Sequence, residues 1–170
     1  GPGVNISAAA GANMFASAVA DAKSLVYVPN PTDGTISVID PKTYTVIDTY
    51  ASGPGTQHVV PSWDMKTLYG NNTENGNSLT PIDPTTGKPG TRVHVEDPYN
   101  LYFTPDGAHA LVMAERLRRI DVRNPPPRAL ARSLPVPFRG FNPARYPANL
   151  PLFVAPCRFS RQLPVHERSA

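Results

Sequence analysis

Apolar and polar positions change over in short runs along the first 122 residues, with no sustained 3.6-residue period. Leu25-Val26-Tyr27-Val28 is an apolar run rich in β-branched and aromatic residues. Thr35-Ile36-Ser37-Val38-Ile39 alternates polar with apolar, the pattern of a half-buried strand. Thr45–Tyr50 predicts a third strand, and Val59–Ser62 a fourth that stops at a Trp63-Asp64 turn. Between the first two strands, Pro31-Thr32-Asp33-Gly34 has hairpin chemistry, because Asp-Gly supplies a residue that tolerates positive φ. Asp40-Pro41-Lys42-Thr43 predicts the next turn. The Ala-rich stretch 7–20 is broken by Gly11 and Asn13 and reads as loop or strand.

These features recur about every 42 residues. Val26-Tyr27 returns as Leu68-Tyr69, then as Leu111 in Ala110–Ala114, then as Phe153 in Leu152–Ala155. Ile39-Asp40 returns as Ile82-Asp83 and, on this reading, as Ile120-Asp121. Ser62-Trp63-Asp64 matches Thr104-Pro105-Asp106. Four short strands in such a period are the build of one β-propeller blade, a sheet too small to bury both its faces unless neighbours stack on it.

Tyr27-Val28-Pro29-Asn30, Thr35–Asp40 and Phe103-Thr104-Pro105-Asp106-Gly107 resemble the YVTN repeat of bacterial β-propellers. The resemblance covers residues 16–122 and implies an all-β fold whose blades are four short antiparallel strands. It also implies a ring of seven blades, of which about three and a half are accounted for here. The expected fold is therefore an incomplete ring, about half of a seven-bladed propeller. Residues 1–15, beginning Gly1-Pro2-Gly3, read as a tag remnant or irregular segment. Residues 123–170 read as a degenerate last blade or poorly ordered tail, since Pro147, Pro151, Pro156 and Pro164 stand where strands and turn glycines belong.

Charge separates the same two regions. Residues 1–122 carry twelve acids against eight Lys or Arg, whereas 123–170 carry eight Arg, no Lys and Glu167 alone. The tail arginines are dispersed among prolines with no stacking aromatics between them, so no nucleic-acid partner is expected. No apolar run is long enough to span a bilayer. Cys157 is the single cysteine, which leaves no internal disulfide and reads as a small buried hydrophobe.

Candidate chemistry follows from the repeat. His58, Asn100 and Asn142 are spaced at 42 residues, where the chain enters the innermost strand of a blade. Equivalent positions converge on the axis of a propeller, and convergent polar groups make a pocket. An imidazole, with its ordinary pKa of about 6.5, suits a base or a metal ligand. The competing reading is that these side chains cap their own loops. Glu115, following the second strand of its unit, joins the set. Its alternative is a surface charge paired with Arg116 or Arg118. His94, His109 and His166 share no repeat position or ligand spacing and read as exposed strand or turn residues. Asp40, Asp83 and Asp121 read as turn residues rather than calcium ligands, because no Asp-x-Asp-x-Asp loop is present. Trp63, Tyr27, Tyr69, Phe103 and Phe153 read as core between blades.

No Gly-x-Ser-x-Gly, phosphate-binding loop or dinucleotide fingerprint occurs. The expected function is a non-catalytic scaffold that binds a ligand or protein at its channel face, with no metal site and no cofactor specified. Self-association could complete the ring. The alternative is a fragment of a propeller enzyme, a lactonase-like hydrolase or a metal-dependent oxidoreductase, inactive alone. The resemblance also implies an exported bacterial protein.

Overall fold

A computed structural model describes residues 17–136, other than 126 and 128. After a one-turn 3-10 helix at Ser17–Val19, where loop or strand was expected, the described residues are all strand and turn. The first sheet is β1 (Val26–Asn30), β2 (Thr35–Asp40) and β3 (Thr45–Ala51), in that spatial order. The second runs β4 (Thr56–Pro61), β5 (Leu68–Asn72), β6 (Ser78–Asp83) and β7 (Lys88–Pro89), with β8 (Val93–His94) also on β6. The third is β9 (Asn100–Phe103), β10 (Ala110–Ala114), β11 (Arg119–Arg123) and β12 (Leu130–Pro135). All pairings are antiparallel.

Two expectations change. The strand at 56–61 does not close the first sheet: it pairs with β5 and opens the second. The third sheet also runs beyond residue 122, since β12 supplies its fourth strand.

The pleat sorts each sheet into two faces. On β10, Ala110 and Val112 join Tyr69, Leu79, Val95 and Leu101 in the core between the second and third sheets. Leu111 and Met113 point the other way, into a cluster with Ile120 and Val122. Tyr69 and the partly buried Phe103 thus occupy the inter-sheet core expected of them. Each buried aliphatic side chain contributes roughly 1.5–3 kcal/mol. The seam between the first two sheets is built differently. There Gly70 lets Ile36 and Ser52 close in: an added Cβ would stand 2.7 Å from Ser52 Oγ and 2.9 Å from Ile36 Cδ1.

A recurring asparagine ties strands together. Asn30 Nδ2 donates to Thr35 Oγ1 (3.1 Å) and Ser37 Oγ (3.0 Å). Asn72, the same position in the second sheet, donates to Ser78 Oγ and Thr80 Oγ1, both at 3.0 Å, and to the Ser52 carbonyl at 3.2 Å. Its Oδ1 accepts from Ser52 Oγ at 2.9 Å. In the third sheet Ala114 takes that position, and a charge pair replaces the amide. Arg119 Nε meets Asp121 Oδ1 at 2.9 Å, and Ser133 Oγ donates to the same oxygen at 2.6 Å.

Asp121 therefore does not share the role of Asp40 and Asp83. Those two accept backbone N–H bonds from Lys42 and Thr85 at 2.8 Å, as Asx turns. Asp121 is fully buried in mid-strand. Aligning β11 with β2 and β6 by their pairing puts Asn124, not Asp121, opposite Asp40 and Asp83.

Trp63 is not core either. It is 55% exposed and lies in the β4–β5 turn. Its Nε1 donates to the Pro105 carbonyl (3.2 Å), one repeat period onward. Its ring covers Gly107, leaving only 2.5–2.8 Å from ring atoms to where a Cβ would stand. Gly107 also has φ +70°, which disfavours any other residue. Gly107→Ala is expected to destabilise the fold by roughly 1–3 kcal/mol and to shift the emission of this single tryptophan. Unchanged emission together with unchanged urea unfolding would mean that the turn-to-turn contact is not held in solution.

Candidate functional site

The pairing register shows that His58 and Asn100 are equivalent. His58 pairs with Asn71 and Asn100 with Met113, which hold the same position on β5 and β10. Both lie on the first strand of their sheets. Asn142, the third member of the expected series, lies outside the described residues, as do Phe153, Cys157 and His166.

His58 is placed by an irregularity. Thr56 pairs with Asn72 and His58 with Asn71, so Gln57 is an extra residue in the strand. Such bulges re-aim the neighbouring side chain. The imidazole then crosses to the third sheet, where Nδ1 lies 2.8 Å from the Tyr99 carbonyl oxygen. A carbonyl only accepts, so Nδ1 carries the proton, and in the neutral ring Nε2 keeps its lone pair. The Tyr99 ring stands edge-on to the imidazole, with centroids 5.3 Å apart and planes at 77°.

Tyr99 reaches this place through a tight turn. Asp97 adopts φ +44°, and the Tyr99 N–H donates to the Asp97 carbonyl (2.8 Å) and to the Met113 carbonyl (3.0 Å). The buried Asp97 carboxylate accepts from the Arg116 N–H (2.7 Å) and the Leu117 N–H (3.3 Å), fixing the loop that carries Glu115. The alternative for Glu115, a surface charge paired with Arg116 or Arg118, is not formed: no ion pair joins it to either among the described residues, and the Arg116 guanidinium turns to Asp97, at 3.9 Å. Burial, helped by the Asp97 charge, holds the Glu115 carboxyl above its usual range. Burial and the Glu115 charge raise the Tyr99 phenol in turn.

His58, Tyr99, Glu115 and Asp97 are thus linked across the seam between the second and third sheets. Asn100 stands beside them but is engaged locally: its Oδ1 accepts from the Leu101 N–H (2.9 Å) and its Nδ2 donates to the Tyr102 hydroxyl (3.1 Å). Asp97 and Tyr99 were absent from the sequence-based set. The Asp-Pro-Tyr stretch 97–99 marks a turn, but nothing in it announces that the turn lands on His58. His94 is exposed, as expected, whereas His109 is half-buried behind the turn that starts at Thr104. No group of three or more metal-ligating side chains forms among the described residues. A separate groove of about 450 Å³, lined by Lys66, Asp83, Lys88 and Pro89 among others, shares no residue with this cluster.

The raised Glu115 pKa sets a pH dependence. The charged form is disfavoured in the folded state, so stability is lost as pH rises from the ordinary glutamic acid value of about 4.3 through the raised folded value. Glu115→Gln is therefore expected to raise the melting temperature at pH 7 relative to wild type. The gain should vanish as the pH approaches 4. A gain independent of pH would remove the electrostatic explanation.

A family model for YNCE-like beta-propellers matches residues 1–131. The chain belongs to the YNCE-like beta-propellers. Its three described sheets are propeller blades, and together they form part of a ring. Solved structures agree on the fold. Hydrazine synthase of Kuenenia stuttgartiensis is similar with a TM-score of 0.57 at 22% identity, over 71% of this chain and 35% of that one. A proposed 6-phosphogluconolactonase of Bacteroides fragilis gives 0.52 at 21% identity, over 68% of this chain and 39% of that one. The dihydro-heme d1 dehydrogenase NirN gives 0.52 at 18% identity, over 66% and 24%. This propeller chain thus spans about a third of the length of the structures it matches. Comparison with curated proteins gave no match. No helix among the described residues is long and apolar enough to cross a membrane.

Proposed function

We propose that this chain is a non-catalytic propeller module that binds a ligand, small molecule or protein segment, at the inner edge where its second and third blades meet. The observation that carries the reading is the His58–Tyr99 contact. It fixes an imidazole across the seam with one nitrogen engaged at 2.8 Å, and in the neutral ring the other is left as an acceptor. Asn100 at the equivalent position of the next blade supports a series of polar groups along that edge. The test is nitrogen-15 NMR of the imidazole while a fragment panel of carboxylic acids, carboxamides and polyols is added. Movement of the His58 signals, lost in Tyr99→Ala, is the expected result. A panel that moves no inner-edge signal would end this reading.

A second reading, a piece of a propeller enzyme, is favoured by the raised Glu115 carboxyl beside Tyr99, the kind of group used in acid–base chemistry. Such a site would draw residues from other blades, so the 170-residue chain is expected not to turn over a lactone. Hydrolysis of 6-phosphogluconolactone above the buffer rate, abolished by His58→Ala, would overturn the non-catalytic assignment.

Self-association belongs to the same proposal. The first blade exposes Val26 (45%) and Val28 (37%). The matching face of the second blade, at Gly70, is covered by Ile36 and Ser52. A second copy or further blades would cover the first in the same way, and a solution mass by light scattering that stays monomeric would exclude the copy. We also place the protein outside the cytoplasm, on the YVTN resemblance alone. Finding it in the cytoplasmic fraction of its host would refute that placement.

A further inference from the structure

The three blades share one register, so each position can be compared with its own counterparts. Pro29, Asn71 and Met113 are equivalent, as their pairing with Ile36, Leu79 and Ile120 shows. Two of the three are apolar, as a position facing the next blade should be. Asn71 is the exception, and it is fully buried. Neither its Oδ1 nor its Nδ2 has a hydrogen-bond partner among the described residues. A buried amide left without partners is among the least favourable groups a core can hold, and native structures rarely keep one without a bound molecule to satisfy it.

The exception falls beside the other irregularity of the same blade. Asn71 is the ladder partner of His58, so the two side chains share the face that looks onto the third blade. His58 is re-aimed by the bulge at Gln57, and its Nδ1 is tied to Tyr99, so that in the neutral ring Nε2 is an acceptor. The pair therefore offers one N–H donor group and two acceptors in one seam. No other described blade has such a pair: Asn100 faces Met113. Departures from a repeat's own pattern concentrate where function overrides packing.

We propose that Asn71 and His58 form a ligand subsite between the second and third blades, taking a small neutral group that both donates and accepts a hydrogen bond. A primary carboxamide is the best match, since it can pair with the Asn71 amide through one donor and one acceptor. The surroundings exclude a charged group. Tyr69, Leu79 and Leu101 make the seam apolar, where an unpaired charge is costly. The inference rests on the binding role proposed above and specifies its chemistry.

The experiment uses the full 170-residue chain, nitrogen-15 labelled, with acetamide as the probe and acetate as the charged control. Acetamide is expected to shift both the Asn71 side-chain NH2 signals and the His58 Nε2 signal, and acetate neither. Asn71→Met, which installs the residue found in the third blade, should fold, gain melting temperature and lose the acetamide response at His58. Acetate acting as strongly as acetamide would overturn the neutral-group assignment. An Asn71 amide that contacts internal water and ignores both probes would make this a buried hydration site and overturn the subsite. His58 shifting with Asn71 silent would also overturn it while leaving the broader binding role intact. Silence of every inner-edge signal toward these probes and the wider fragment panel would remove both.

Discussion

Asn72→Ala is expected to be the most damaging single substitution in the first two blades, at about 2–4 kcal/mol. Its amide is fully buried and makes four hydrogen bonds, to Ser52 Oγ, the Ser52 carbonyl, Ser78 Oγ and Thr80 Oγ1. Truncation leaves the Ser52 hydroxyl without its acceptor inside the seam and opens a cavity beside Gly53, against which the amide packs. Thr80 Oγ1 still reaches the Ser52 carbonyl at 2.7 Å, which keeps the loss below the sum of four bonds. Against a typical domain stability of roughly 5–15 kcal/mol, this is a large fraction. Asn30→Ala provides the internal comparison. Asn30 makes the equivalent bonds on a half-exposed face, where water substitutes for it, so its loss should fall below about 1 kcal/mol. Urea unfolding of both variants decides the matter. Equal costs would show that the inter-blade seam adds nothing to the role of this asparagine.

In the third blade the corresponding sensitivity moves to Asp121. Asp121→Ala removes the carboxylate that meets Arg119 at Nε (2.9 Å) and Nη2 (3.1 Å) and that accepts from Ser133. Hydrogen bonding to Asp121 is the main cause of the raised Arg119 pKa. Breaking one side of a buried pair costs about 3–5 kcal/mol. Arg119 is 27% exposed and keeps Glu96, so about 2–4 kcal/mol is expected here. Replacing the pair together, by Arg119→Met with Asp121→Leu, should recover most of that loss, because the desolvation of both charges is relieved. A double variant no better than Asp121→Ala would mean that the charges specify the packing of this blade, beyond compensating each other.

The sequence carried the architecture because the repeat carried it. The 42-residue spacing places His58 and Asn100 at one register position, and the Thr104-Pro105-Asp106 match to Ser62-Trp63-Asp64 recurs as one turn: Ser62 and Thr104 hydroxyls donate to Asp64 and Asp106. What failed was whatever depends on partners rather than period. The strand at 56–61 has strand composition in either sheet, and only the ladder to β5 says which. The Ile120-Asp121 dipeptide imitates Ile82-Asp83 but stands three positions earlier in its strand, so an apparent turn residue is a buried carboxylate. Trp63 has the composition of core, yet its turn sets it on the rim against a glycine. The candidate site was half legible. Position alone pointed to His58, but its contact with Tyr99 is made across a seam between two blades. Asn71 would have emerged from comparing the columns Pro29, Asn71 and Met113.

The Trp63 latch has a consequence for how the chain is made. Each of the three described sheets is contiguous in sequence, from Val26 to Ala51, from Thr56 to His94 and from Asn100 to Pro135. Among the described residues no strand pairing waits for a distant segment, which favours fast, local folding. A chain growing on the ribosome can complete one sheet before the next has left the exit tunnel. Trp63 then meets the Pro105–Gly107 turn as soon as that turn emerges, and the seam closes in order of synthesis. Growth then adds one new open face at a time, while the outer face of the first blade, at Val26 and Val28, stays open throughout.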